Sequence, residues 1–451
     1  MHSSNFLARA AGVAALFLAC AAPALAALPI QKWQQPSGAQ VWLIEAPGLP
    51  IVDVQIDFDA GGRRDPANQM GLASITASMT GKGIAARDGQ PALDENQLGE
   101  AWADLGAGFG GSAGADRMSF SLRSLTTPEL LQSAVQLAAR QLGEPSFPET
   151  VWRRDRERIA ASIREANTRP ATIADRAFDQ AVFGSHPYGY ETTEATLANI
   201  GVQDMRTFYE AHVRPCRAKA SVVGAVTRAQ ADEIVRTLLS RLPPNACAPL
   251  PPVPDVAQLA APVERAIPFA SAQAHVLIGQ PGYERSDPDY FPMLVGNYVL
   301  GGGGFVSRLS QEVRQKRGLS YSVYSYFAPG LHAGAFTLGL QTRPDQAAQA
   351  VQVSRDVVRR FVAEGPTEAE LQAAKDFMVG GFALRLDSNR KLLDNLSGIA
   401  WYDLPLDYLD TWTQQVQKVT AAQVKAAFAR KLQPERMVTV VVGGDVAPTR
   451  Q

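Results

Sequence analysis

The strongest constraint in this sequence is that part of it occurs twice. Ile200–Val226 aligns with Val419–Asp445 at an offset of 219 residues. Tyr209 then faces Phe428, Pro215 faces Pro434, Arg217 faces Arg436, and Val222-Val223-Gly224 faces Val441-Val442-Gly443. In both copies an amphipathic helix pattern precedes an x-Pro turn, and a β-branched run then ends in Gly. Solenoids and propellers repeat every ~20–50 residues, so a period this long marks two copies of one domain. Between the copies, residues 243–268 carry eight prolines. Helix interiors and central strands do not accommodate that composition, and the segment reads as a linker. The expected organisation is a signal segment 1–26, a first unit 27–242, the linker 243–268 and a second unit 269–447.

Each unit mixes two periodicities. Val52–Phe58 and Met118–Leu122 alternate apolar and polar residues, as half-buried antiparallel strands do. Pro128–Leu142, Trp152–Ala166 and Ala229–Leu242 carry the helical period. The second unit repeats the mixture, with strands near Ala274–Ile278 and Ala335–Leu340 and helices near Ala347–Glu364 and Glu368–Leu384. The predicted class is α+β: two tandem homologous domains, each an antiparallel sheet with helices covering one face.

Charge and targeting signals narrow the function. The formal net charge is −1, with no basic excess to suit nucleic acid or an anionic membrane. Arg9, the apolar run Ala10–Ala22 and the A-x-A site Ala24-Leu25-Ala26 read as an export signal. A partial lipobox at Leu18-Ala19-Cys20 is the competing reading, with Phe17 where that signal prefers Leu. No later stretch holds the ~18 uninterrupted apolar residues of a membrane span, so a soluble periplasmic chain is expected.

Several motifs fail on context. Gly106–Gly111 satisfies G-x-G-x-x-G, but a dinucleotide site needs a strand before it and a helix after. Here the helical Gln97–Leu105 precedes and the strand Met118–Leu122 follows. Gly110–Gly114 satisfies G-x-S-x-G around Ser112, yet a nucleophile elbow also needs strand-turn-helix. Thr80-Gly81-Lys82-Gly83 lacks the Ser/Thr that a P-loop places after its lysine. Beyond the signal, His186, His212, His275 and His332 all lie more than four residues apart. Each reads as structural, because catalytic zinc usually takes two ligands from one element. Cys216 and Cys247 are the only cysteines after the signal, and an even pair in an exported chain reads as a disulfide.

Gly71-Leu72-Ala73-Ser74-Ile75-Thr76-Ala77-Ser78-Met79, followed by Gly81-Lys82-Gly83, resembles a zinc site emptied of its ligands. It is similar to the insulinase/pitrilysin-type (M16) metallopeptidases, whose helix reads G-x-A-H-x-x-E-H-M before a Lys-Gly turn. That motif sets two histidines at i and i+4 on one helix face, with a glutamate between them as general base. Ser74 and Ser78 stand at the histidine positions here, and Ala77 at the glutamate. If Pro170 is the family's Asp-x-Pro proline, the third-ligand position falls on Ala161 or Ser162, with Glu157 and Glu165 nearby. No metal site is expected in this chain. His186-Pro187-Tyr188-Gly189, the Arg214-Pro215 turn and the duplication extend the resemblance over nearly the whole chain.

The second unit keeps its family signal. Leu300–Phe305 is a glycine loop, followed by Ser307-Arg308-Leu309 and by Glu312 through Tyr321. This resembles the family's loop, helix and strand that bring an Arg and a Tyr to the active site, which selects Arg314 and Tyr321. Phe305, Leu309 and Val313 predict a buried i, i+4, i+8 stripe, with Gly318 as a left-handed C-cap and Leu319–Phe327 as a strand. Without the family, Arg314 reads as a surface ion pair and Tyr321 as a core aromatic. With it, Tyr321 is an oxyanion donor and Arg314 a clamp on substrate carbonyls or a carboxylate.

The resemblance implies the zinc-less, substrate-binding subunit of an exported heteromeric peptidase, inactive alone. Zinc would reside in a partner M16 subunit, the two chains closing like a clam shell on unstructured peptides. Peptides would add to an edge strand in the partner's zinc-bearing half by β-augmentation, with Met118–Leu122 a weaker edge here. The alternatives are a structural pseudoenzyme that stabilises a partner or an envelope complex, and a serine hydrolase using Ser112.

Overall fold

The computed structural model describes residues 29–244 and 247–444; the expected signal segment, including Cys20, lies outside them. The first sheet contains β1 (Gln31–Gln34), β2 (Gln40–Glu45), β3 (Ile51–Phe58), β6 (Gly108–Ala113), β7 (Met118–Leu125) and β8 (Lys219–Gly224), while β4 (Gly83–Ile84) and β5 (Leu93–Asp94) form a separate two-stranded sheet. Its strand order is β1-β2-β8-β3-β7-β6. The second sheet contains β9 (Val263–Ile267), β10 (Ala274–Pro281), β11 (Val323–Phe327), β12 (Ala335–Thr342) and β13 (Val438–Val442). Its order is β11-β12-β10-β13-β9. Read from β9, that series repeats β2-β8-β3-β7-β6 strand for strand. The polarity repeats too: β2/β8 and β9/β13 are parallel, and the remaining neighbours are antiparallel. β9 lies inside the Pro-rich segment and takes the sheet edge, where a flanking proline costs no ladder hydrogen bond.

Alternation decides which side chains enter each core. Val52, Val54, Ile56 and Phe58 of β3 are buried against helices Pro128–Gly143 and Arg228–Leu239 through Ala134, Ala138, Leu142, Val235 and Leu238. Val276 and Ile278 of β10 meet Ala347–Glu364 and Ala421–Lys431 through Val357, Phe361, Val424 and Phe428. Fully burying side chains of this size contributes roughly 1.5–3 kcal/mol each.

The other face of each sheet, expected to be bare, is covered as well, and by a helix from the opposite half. Helix Pro170–Phe183 starts with proline at a position whose N–H would be unpaired anyway. It crosses to the second sheet, setting Ala174, Phe178 and Val182 against Leu277, Val438, Val440 and Val442. Helix Asn389–Trp401 makes the reciprocal crossing: Leu392, Leu393, Leu396 and Ile399 pack on Trp42, Ile44 and Val223 of the first sheet. Gly279 explains the close approach on one side, since a Cβ there would lie 2.7 Å from the Phe178 ring. On the other side Lys219 Nζ donates to the carbonyls of Ala400 (2.9 Å) and Trp401 (3.2 Å). A cation at a helix C-terminus is favoured by the helix dipole.

Cys216 and Cys247 are joined by a disulfide with Cα atoms 6.1 Å apart, fastening the start of the Pro-rich segment beside β8. Among the described residues no helix is long and apolar enough to cross a membrane.

Candidate functional site

Helix Leu72–Met79 carries the emptied motif. Gly71, at φ +105°, turns the chain into it, and a side chain there would clash with Thr192. Asp65 anchors its first turn, accepting the N–H groups of Gly71 and Ala73 at 2.9 Å each. Burial pushes the Asp65 carboxyl up to about 7, against those two backbone bonds. Ser74 and Ser78 share the exposed face, while Ala77 is buried and its carbonyl accepts from Thr80 Oγ1 at 2.7 Å. Ala77 O also abuts β6, where a Cβ on Gly111 would come within 2.8 Å of it. The helix thus presents two hydroxyls at the positions where the resemblance expects imidazoles, and a buried methyl where it expects the base. Ala161, Ser162, Glu157 and Glu165 are exposed on helix Glu149–Ala166, and Glu165 pairs with Arg169 at 3.0 Å. These residues do not fit a catalytic zinc.

The neighbouring edge differs from expectation. Met118–Leu122 falls in β7, which is paired on both sides, by β3 and by β6. The sheet edge is the glycine-rich β6, with Ser112 exposed on it, paired with Ser119. Helix, strand, strand is the local order around Gly106–Gly114, so neither the dinucleotide turn nor the nucleophile elbow has its scaffold.

In the second half the glycine loop is drawn in tightly. A Cβ on Gly301 would lie 2.3 Å from Ser325 Oγ, so only glycine lets the loop touch β11. Ser307 is extended and separates a single 3-10 turn, Gly304–Val306, from the helix that follows. The helix unwinds into a wider π turn over Ser310–Gln315, with the Lys316 N–H bonded to Gln311 O at 3.0 Å. Gly318, at φ +62°, ends it: its N–H reaches Arg314 O (2.9 Å), and the Leu319 N–H reaches Val313 O (3.0 Å). π turns inside helices frequently mark functional sites.

This geometry sets the site. Leu309 and Val313 are buried as predicted, but Phe305 is 65% exposed, because the extended Ser307 breaks the helical phase. The Phe305 ring instead covers the Arg314 guanidinium at 4.3 Å, and the Tyr321 ring flanks it at 5.0 Å. Arg314 therefore lies between two rings, while its neighbours Lys316 and Arg317 pair with Glu312. Tyr321 is 83% exposed and precedes β11, which begins at Val323 rather than at Leu319. The structure thus brings Arg314 and Tyr321 together beside the second sheet. The Ser74/Ser78 helix sits on the first.

Three residues of this arrangement escaped the sequence reading. Gln311 Nε2 donates to Val306 O (3.1 Å) and Gln315 Nε2 to Phe305 O (2.9 Å), pinning the loop over the helix. Asn297 exchanges hydrogen bonds with Ser325, to its Oγ at 2.8 Å and its carbonyl at 3.0 Å. The i, i+4 glutamines beside a glycine run were the available signal.

The geometry is thus two α+β halves with exchanged helices, a helix without metal-ligating side chains on one sheet and an exposed Arg/Tyr pair beside the other. Residues 199–378 match the family described as the Peptidase M16 inactive domain. A crystal structure of a peptidase M16 inactive domain from Pseudomonas fluorescens superposes with a TM-score of 0.86 at 32% identity, covering 94% of this chain and 99% of that one. An uncharacterized zinc protease of Streptomyces coelicolor is 30% identical over 298 residues, 64% of each chain, so the match spans just under two thirds of that relative's length. A non-peptidase homolog of Helicobacter pylori is 25% identical over 396 residues, 83% of this chain and 85% of that one. The chain belongs to the M16 peptidase family, and to its inactive type.

Proposed function

We propose that this chain is the substrate-holding, zinc-less subunit of an exported heteromeric M16 peptidase, working in the periplasm with a zinc-bearing partner on unstructured peptides. Residues 27–242 and 269–447 serve as its two repeated units, the second completed by β9 from the Pro-rich segment. The observation that carries this reading is the Arg314 guanidinium held between Phe305 and Tyr321, with Tyr321 83% exposed. A structural tyrosine of that exposure contributes little to stability, whereas its O–H is free to meet a substrate oxygen. Hydrolysis by zinc-bound water builds negative charge on the former carbonyl oxygen, and a phenol aimed at it stabilises that charge. The guanidinium, stiffened by two rings, presents its donor edges to peptide carbonyls or a carboxylate. Neither task needs metal in this chain.

The test is reconstitution with the zinc-bearing chain, assembly being followed separately by size exclusion. The chain alone should hydrolyse no peptide. In the assembled complex Tyr321→Phe should lower kcat roughly a hundred- to a thousand-fold, the loss of one oxyanion donor. Arg314→Ala should be as severe, with a larger share in KM, because a positioning cation acts on bound substrate as well. A Tyr321→Phe complex that assembles normally and turns over at the wild-type rate would transfer the chain to the scaffold reading.

A further inference from the structure

A second cluster lies where the Pro-rich segment meets both halves. Asp255 of that segment, Glu284 after β10 and His332 of the β11–β12 hairpin each offer one ligand atom, and the three atoms lie within 4.8 Å of one another. His332 Nδ1 points at Asp255 Oδ1, 3.4 Å away. That nitrogen is sealed from solvent and has no hydrogen-bond partner, although the His332 side chain is only 13% exposed. An unpaired buried polar atom is costly, and such atoms mark places where a partner is missing.

The frame around the imidazole is rigid. The His332 N–H donates to Tyr188 Oη at 3.2 Å, and Tyr188 Oη donates to Asp116 Oδ1 at 2.5 Å. The neighbouring Leu331 N–H meets Asp116 Oδ2 at 3.0 Å, and Arg63 Nε pairs with Asp116 Oδ1 at 3.2 Å. Gly330 O accepts the Arg285 N–H at 2.9 Å, tying the hairpin to the loop that carries Glu284. Two donors thus stand on fixed backbone. The third, Asp255, is 90% exposed on the segment outside.

We propose that Asp255, Glu284 and His332 bind one zinc-class divalent ion that clasps the Pro-rich segment to the second half. One imidazole and two carboxylates are an ordinary donor set for zinc, whereas calcium and magnesium prefer more oxygen donors and no nitrogen. Donors about 2.1 Å from a shared ion stand roughly 3.4 Å apart, and rotation of the exposed Asp255 closes the remaining gap. The fourth position falls to water. This ion is distinct from a catalytic zinc on Ser74–Ser78, and it departs from the expectation of a metal-free chain in which His332 is merely structural.

The experiment uses the whole chain, stripped with a chelator and titrated with Co2+, then with Zn2+. One Co2+ per chain should bind with visible d–d absorption, Zn2+ should displace it, and Tm should rise with added Zn2+. His332→Gln should weaken binding at least about a hundred-fold, beyond the ~10–100-fold cost of losing an outer-shell partner. Asp255→Asn, at an exposed position that does not hold the fold, should also lose affinity, so the site stays testable if His332→Gln misfolds. Absence of cobalt absorption and of any Tm shift in the wild type, or undiminished binding in Asp255→Asn and His332→Gln, would overturn the site.

Discussion

The two sheets share one topology and each packs apolar side chains against its exchanged helix, but only the first adds a fully buried carboxylate and its cation to that contact. Under Asn389–Trp401, the first sheet offers Asp53, Gln55 and Asp57 on β3. Asp57 is fully buried, accepting from Arg117 (2.9 Å), Ser119 (2.5 Å) and Gln55 (3.0 Å), and Arg117 also reaches Ser397 O of the visiting helix (3.3 Å). Under Pro170–Phe183, the second sheet offers Leu277, Gly279 and the valines of β13. Both exchanges bury apolar side chains, and the first adds an ion pair on a fully buried carboxylate. A duplicated fold therefore constrains where the partner helix lies, not how it is held. The function proposed above divides in the same way, with Ser74, Ala77 and Ser78 at the family's zinc positions in the first half and the Arg314/Tyr321 pair in the second.

The sharpest way to break this comparison is to remove one anchor from each side. Phe178→Ala empties a buried ring site and should destabilise the protein by about 3–5 kcal/mol. Arg117→Met should cost a similar ~3–5 kcal/mol at neutral pH, because it strands a buried carboxylate. Only the second loss should shrink in acid. Burial already raises the Asp57 pKa, and a protonated Asp57 no longer needs the cation. Urea melts at two pH values distinguish the cases, and equal pH response would show that the two exchanges are held alike.

The disulfide ties the first half to the start of the Pro-rich segment and has no counterpart in the second half, and its removal should rank next. Cys216 and Cys247 are separated by 31 residues, and closing such a loop is worth ~3–4 kcal/mol in the chain-entropy account. Cys216→Ser with Cys247→Ser should lower stability by up to that amount. Thiol titration of the denatured, unreduced parent should find no free thiol between these two positions. Two free thiols would remove this asymmetry between the halves.

Much of the fold was legible because strands and helices carry their own period, as β3, β7 and Ala347–Glu364 do. The exchange was not. Ala174, Phe178 and Val182 announce an apolar helix face, but a stripe says nothing about which sheet it will meet. β6 hid in Gly108–Ala113, since glycines supply no alternation to read. At the site, the resemblance points to Arg314 and Tyr321, whereas an unbroken helical period would place Phe305 in the core. The extended Ser307 and the π turn at Ser310–Gln315 violate that assumption, and sequence periodicity contains no signal for either.

The smallest expected effect concerns pH, where the halves should respond in opposite directions. Asp65, which starts the emptied helix of the first half, has its carboxyl raised by burial to about 7. The folded state then binds more protons than the unfolded chain above the ordinary carboxylate value. Its contribution is therefore present at low pH and lost as pH rises from about 4 toward about 7. Glu370 in the second half is the reverse. The Arg308 guanidinium grips it with two bonds of 2.7 Å and holds its carboxyl down to about 2. That contribution is present above the ordinary glutamate value and lost as pH falls from about 4.5 toward about 2. Hydrogen exchange read separately on Leu72–Met79 and Glu368–Gly380 should show the first segment opening more easily at pH 7 than at pH 5. The second should open more easily only in stronger acid. Asp65→Asn should flatten the first response and Glu370→Gln the second, while each leaves the other half unchanged. If both segments loosen together in either variant, the exchanged helices couple the halves into one cooperative unit, and the local chemistry of each half no longer sets its own stability.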